Sequence, residues 1–172
     1  AIELDPNHPE TNNNLGTLFR RQKEYQKAKS CFEKAIQSKP DFTTAHINLG
    51  SLLNQLGDLE KARSCYEKAI ELNPNSATSY NNLGLVFSKL KKQQEAKACY
   101  EKAIELDPNY PEANNGLGVF FRKNKEFKKA ADYFKKVDTV LANAQFLECI
   151  YFSNELENYN KLLDTFSKTE PT

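Results

Sequence analysis

The chain contains no tryptophan and no methionine, and only two histidines, four cysteines and six glycines in 172 residues, so several functional classes fall away at once. Neither His8 nor His46 stands near a nucleophile and a carboxylate at suggestive spacing. A histidine-based catalytic centre or zinc site is therefore not expected, and the catalytic and metal-ligand sets are both read as empty. Gly16, Gly50, Gly57, Gly84, Gly116 and Gly118 make no phosphate-cradling loop, and no cofactor is expected. No run approaches the roughly 18 to 20 apolar residues that a membrane span needs, and the chain does not open on a basic segment followed by an apolar one. Charge of one sign is also missing: 24 Lys and Arg face 23 Asp and Glu, a net charge of +1, which removes the simplest case for nucleic-acid binding. At 39% hydrophobic and 27% charged, the composition is that of a folded, water-soluble chain.

What is present is a repeat. In blocks of 34, segments 9–42, 43–76 and 77–110 fall into register. Leu-Gly recurs as Leu15-Gly16, Leu49-Gly50 and Leu83-Gly84. Ala28, Ala62 and Ala96 follow, then an aromatic at Phe32, Tyr66 and Tyr100, then Ala35, Ala69 and Ala103. Each block closes on a proline turn, Lys39-Pro40-Asp41, Asn73-Pro74-Asn75 and Asp107-Pro108-Asn109. A fourth copy, 111–142, carries Leu117-Gly118, Ala130 and Phe134.

The pattern has a packing logic. Glycine early in the block and alanine in its middle suit the crossing of two antiparallel helices, where a minimal side chain lets backbones approach. Leucines and aromatics at helical spacing fill the space around the crossing. Proline ends the second helix, since it cannot donate to the preceding turn and disfavours helical geometry in the residue before it.

These residues resemble the tetratricopeptide repeat family across about 9–142. The resemblance implies an all-α fold, a right-handed superhelical solenoid of antiparallel helix pairs whose first helices line a concave groove. Two departures stand out. The aromatic usual near the start of the first helix is kept only as Tyr80, with Asn12, His46 and Asn114 elsewhere. The glycine usual between the helices survives only as Gly57, with Lys23, Lys91 and Lys125 in its place elsewhere.

Residues 1–8 match the final third of a repeat, as at 103–110, so they read as the end of a truncated preceding repeat and the chain as an excised fragment. The fourth repeat ends irregularly, with Val137 where alanine is expected and no closing proline. From 143 to 172 a degenerate helix pair is expected, with Tyr159 and Phe166 at aromatic positions and Ile150 and Leu162 at the close-approach sites.

Cys31, Cys65 and Cys99 recur every 34 residues. Equivalent positions of neighbouring repeats lie about 8–10 Å apart or more, whereas a disulfide needs Cα atoms within about 7 Å. They read as small packing residues and, with Cys149, favour a reducing, cytoplasmic location, the nucleus being left open.

The first helix of each repeat carries the functional signal. Asn14, Asn48 and Asn82 share one position, and residues at helical offsets from them share their face. An amide offers an acceptor and two donors, so stacked asparagines can grip the N–H and C=O groups of an extended peptide with little regard to sequence. In the fourth repeat Gly116 takes this site and Asn115 stands one residue away. Thr17 and Ser51 join the same face, followed by Arg21, Gln55, Lys89 and Lys123 towards one edge. Two readings of those cations stay open: an acidic partner, or complementation of the helix dipole without any partner. The asparagines are similar to those of the repeat region of O-linked N-acetylglucosamine transferases, which implies peptide-holding roles for Asn14, Asn48 and Asn82.

The expected function is a non-catalytic scaffold for protein–protein interaction, binding a protein or extended peptide of polar or acidic character, with neither nucleic acid nor membrane as partner. The alternatives are the substrate-recruiting region of a larger enzyme such as a glycosyltransferase, or a self-associating structural repeat. Repeat domains that clamp acidic chaperone tails resemble one another in a lysine and an asparagine in one repeat and a lysine and an arginine two repeats later, at positions that are Asn13, Thr17, Thr78 and Asn82 here, so that clamp is not expected.

Overall fold

The computed structural model describes residues 8–137 and 140–167; the expected end of a preceding repeat, residues 1–7, lies outside them. Every described element is an α-helix. The chain divides into two compact units between Leu106 and Asp107. The first holds α1 (Pro9–Arg21), α2 (Tyr25–Ser38), α3 (Thr43–Leu56), α4 (Leu59–Leu72), α5 (Ala77–Lys89) and α6 (Gln93–Leu106). The second holds α7 (Pro111–Lys123), α8 (Phe127–Phe134) and α9 (Val140–Ser167).

In the first unit the helices stack as antiparallel pairs, α1 with α2, α3 with α4 and α5 with α6. The first helices also touch one another, α1 beside α3 and α3 beside α5, while α2 packs on α3 and α4 on α5. This is an all-α helical solenoid. Helices α2 and α4 stop two residues before Pro40 and Pro74, and in the turn after α4 the amide of Asn75 donates to Asn73 Oδ1 at 3.2 Å. Two first helices are capped by a side chain: His8 Nδ1 accepts from the Thr11 amide ahead of Pro9, and Ser76 Oγ accepts from the Ser79 amide at 3.2 Å.

The repeated glycine makes room for a ring more than for a backbone. A Cβ on Gly50 would lie 2.9 Å from Tyr66 Cε1, on Gly16 2.6 Å from Phe32 Cε1, and on Gly84 2.8 Å from the Tyr100 ring. Phe32 and Tyr66 are essentially fully buried, and Ala28 and Ala62 pack beside them in one core with Leu49, Leu52, Leu53, Leu83 and Val86. On α1 the equivalents of Leu49 and Leu52 are Leu15 and Leu18, both exposed, because no described residue covers that side of α1 as the first pair covers α3.

The unusual residue near the start of α1, α3 and α7 has a structural use. His46 Nε2 donates to the Pro40 carbonyl at 2.9 Å, and Asn12 Nδ2 donates to the His8 carbonyl at 3.2 Å. In the second unit Asn114 Nδ2 donates to the carbonyls of Pro108 and Tyr110 at 3.1 and 3.0 Å. A polar donor here ties the helix to the turn preceding it.

Each turn inside a pair is a Schellman motif. The amides of Lys23 and Glu24 return to Arg20 and Phe19, those of Gly57 and Asp58 to Asn54 and Leu53, and those of Lys91 and Lys92 to Ser88 and Phe87. The motif needs a left-handed residue, so Lys23 (φ 61°) and Lys91 (φ 60°) adopt the conformation that Gly57 (φ 84°) takes without strain. Lys91→Gly is expected to raise stability by about 0.5–1 kcal/mol, read from the urea unfolding midpoint.

In the second unit α7 and α8 repeat the pattern: a Cβ on Gly118 would lie 2.5 Å from Phe134 Cε1, and Lys125 is left-handed (φ 61°). Helix α8 is only 8 residues long. Weak helix formers, Val137-Asp138-Thr139, stand where the earlier repeats have Ala-Ile-Glu or Ala-Ile-Gln, and Val137 is buried beyond the helix end. Beyond it the expected helix pair over 143–172 gives way to a correction: a single helix of 28 residues, α9, runs from Val140 to Ser167. No glycine or proline interrupts that stretch, so nothing forces a turn. Ile150 is exposed rather than at a close approach; the side chains of Tyr159, Leu162 and Phe166 lie outside the described ones. Helix α9 buries Ala142 and Cys149 and stacks Phe152 on Phe127 at 5.3 Å between ring centroids. No helix among the described residues is long and apolar enough to cross a membrane.

Candidate functional site

The face of α1, α3 and α5 that turns away from their partner helices carries the asparagines. Asn14 is exposed and makes no hydrogen bond among the described residues, whereas Asn48 and Asn82 are half-buried and held from the side. Asn48 Nδ2 donates to Asn13 Oδ1 at 2.8 Å, across from α3 to α1. Asn82 Oδ1 accepts from Asn81 Nδ2 at 3.4 Å. Asn13 and Asn81 are buried, each 6% exposed, and so act as fixed supports. Asn48 keeps its acceptor oxygen and Asn82 its two donor hydrogens for a ligand.

The supporting asparagines form a row of their own one residue before the first. Asn115 belongs to it, since it stands in its repeat where Asn13 and Asn81 stand in theirs; it is half-buried on α7 of the second unit. The doublets Asn13-Asn14 and Asn81-Asn82 were the available sequence signal for that second row.

The flanking candidates are largely engaged within the protein. Thr17 Oγ1 donates to the Asn13 carbonyl at 3.1 Å, and Ser51 Oγ accepts from Arg20 Nη1 at 3.0 Å. Gln55 Nε2 donates to the Tyr25 hydroxyl at 3.0 Å, turning it towards α2. Lys89 Nζ donates to Asn54 Oδ1 at 2.6 Å, at the carboxyl end of α3. Arg21 is exposed without an ion pair among the described residues, and Lys123 is exposed on α7. Three polar bonds thus cross between neighbouring first helices, Asn48 to Asn13, Arg20 to Ser51 and Lys89 to Asn54, and fix their spacing.

The cysteines are not poised for chemistry. All four are free; burial pushes the Cys65 and Cys99 thiols up to about 11, with nearby carboxylates adding to the effect. Burial also pushes the Tyr66 and Tyr100 hydroxyls up to about 12, offset at Tyr66 by the Ser51 hydroxyl beside it. Folding therefore keeps these protons on, an advantage present in full below the unfolded-state values near 9 and 10 and lost as pH rises towards 11 and 12. The urea midpoint is expected to stay level from about pH 7 to 8.5 and fall steadily above about pH 9, with slow alkylation of the native thiols at neutral pH.

Three family models described as tetratricopeptide repeat match the chain, over 9–42, 41–109 and 81–144. The chain belongs to the tetratricopeptide repeat family. No curated protein matches it. Among solved structures, similar ones include MamA, at 26% identity and a TM-score of 0.70, covering 84% of this chain and 81% of that one. The first tetratricopeptide domain of Spaghetti (RPAP3), bound to the HSP90 peptide SRMEEVD, is 27% identical with a TM-score of 0.66, covering 72% of this chain and 98% of that one. PilF of Pseudomonas aeruginosa matches at 21% identity and a TM-score of 0.79, over 98% of this chain and 81% of that one, a likeness of fold.

Proposed function

We propose that this chain is a protein-interaction scaffold and that the face formed by α1, α3 and α5 binds an extended segment of a partner protein through its main chain. The observation that carries the reading is the state of the three amides. Asn48 and Asn82 are preset by the asparagines beside them yet retain hydrogen-bonding capacity, and Asn14 is wholly open. Preset donors and acceptors lose little rotamer freedom on binding, so more of each hydrogen bond appears as affinity. The tetratricopeptide domain of Spaghetti, whose structure contains a bound peptide, supports a peptide as the class of partner. The ligand itself differs, because Asn13, Thr78 and Asn82 supply no cation where chaperone-tail clamps have three, and Thr17 stands where those clamps have asparagine.

The reading is tested with a peptide selected from a random display library against the purified chain. Methylating alternate backbone nitrogens of that peptide is expected to weaken binding more than about tenfold, since each blocked N–H forfeits a hydrogen bond of about 1 kcal/mol and adds bulk. Replacing its side chains one at a time by alanine should matter less. The opposite order of effects would rule out main-chain recognition.

A further inference from the structure

Lys23 and Lys91 hold a strained left-handed backbone at sites where glycine fits better, and the strain places a cation just past the end of α1 and of α5. Glu24, the carboxylate that follows Lys23, pairs with Lys27 along α2, and no carboxylate follows Lys91 in the sequence before Glu95. Arg21, Lys23, Lys91 and Lys92 are left exposed with no ion pair among the described residues. Arg20 and Lys89 lean towards α3, but onto the neutral partners Ser51 and Asn54, so their charge is uncompensated too. The result is a cationic cluster at the end of α1 and another at the end of α5. Between them α3 ends in Gln55 and Leu56, without a cation, and Asp58 beyond Gly57 pairs with Lys61 at 2.8 Å.

We propose that these two clusters receive two acidic groups of residues on one partner segment, an inference that rests on the amide-lined face as its binding surface. The clusters are two helix spacings apart, about 16–20 Å, which an extended chain at about 3.3 Å per residue covers in about five or six residues. The partner segment is therefore acidic at both ends and polar in the middle, where it crosses the neutral end of α3. A peptide fits better than a nucleic acid, because amides and hydroxyls rather than aromatic rings line the face beside the clusters, and single-stranded bases bind chiefly by stacking.

Four probes separate the outcomes on the full chain. They are a peptide with acidic blocks at both ends of a polar spacer of about six residues, its isomer with the blocks joined, the neutral amide version, and a thymidine oligonucleotide of matching length. Fluorescence polarisation at low salt is expected to show the split peptide binding about fivefold tighter than the joined isomer. The double variant Lys23→Gly/Lys91→Gly should melt about 2–8 °C higher yet bind the split peptide about tenfold more weakly, with the neutral peptide unchanged. A variant that is more stable and binds less cannot be explained by damage to the fold. Equal binding of the two isomers, or full affinity in the double variant, overturns the acidic-segment proposal while neutral-peptide binding leaves the amide face standing. No binding of the neutral peptide sinks the amide face itself. An oligonucleotide that binds more tightly than the split peptide, and is lost with the same two lysines, assigns the rim to nucleic acid instead.

Discussion

Tyr66→Ala is expected to lower the stability of the first unit by about 3–5 kcal/mol, a large part of the roughly 5–15 kcal/mol that holds a domain together. Tyr66 is 1% exposed and lies at the centre of the core shared by α3 and α4, against Gly50. Removing its ring takes away both the transfer of apolar surface from water and the filling of a space that neighbouring helices cannot close. Gly50→Ala has the converse fault. Its new Cβ would stand 2.9 Å from the Tyr66 ring, and the overlap is expected to cost about 1–3 kcal/mol. Because each residue is the other's steric partner, the alanine at 50 should cost much less in the Tyr66→Ala background. Urea unfolding of the four proteins checks this. Additive costs would show that the glycine is retained for a different reason.

The largest effect on binding is expected from the triple variant Asn14→Ala, Asn48→Ala and Asn82→Ala. Each amide can exchange one or two hydrogen bonds with a peptide, and a net gain of about 1 kcal/mol per residue gives a loss of about 100-fold in affinity for the three together. The fold should tolerate the change. Asn14 makes no hydrogen bond among the described residues, and Asn48 and Asn82 each give up one. That leaves Asn13 Oδ1 without its donor and Asn81 Nδ2 without its acceptor, both on buried residues, for which a cost of about 1 kcal/mol each is expected. Helical content by circular dichroism should hold while titration with the selected peptide shows the loss. Unchanged affinity in a folded variant would dispose of the amide contacts.

Much of this was legible in the sequence, for reasons that can be traced. Glycine, alanine and an aromatic at fixed offsets imply helices that pack closely, and Pro40, Pro74 and Pro108 mark where the second helices end. The lysines at 23, 91 and 125 stood out as substitutes for glycine, and their backbone proved to keep the geometry that glycine would have had. The role of the ring was less visible, because spacing shows that glycine and an aromatic recur without showing that one sits on the other. Asn13 and Asn81 went unread as supports. Their burial depends on the neighbouring first helix, which no local pattern reveals. Lys89, Gln55 and Ser51 share the expected face by helical offset, yet their side chains are long or small enough to be captured by Asn54, Tyr25 and Arg20. The end of the chain was misread for the opposite reason: aromatics at plausible offsets suggested a turn in a stretch with no residue to enforce one, and α9 runs through it.

The most direct test of the central claim is to watch the side-chain amides themselves. In nitrogen–proton correlation spectra of the labelled chain, adding the selected peptide is expected to shift the NH2 resonances of Asn14, Asn48 and Asn82 and to slow their exchange with water. Those of the exposed turn residues Asn75 and Asn109 should stay in place and serve as controls. Saturating peptide that leaves the three amides unmoved would contradict the account.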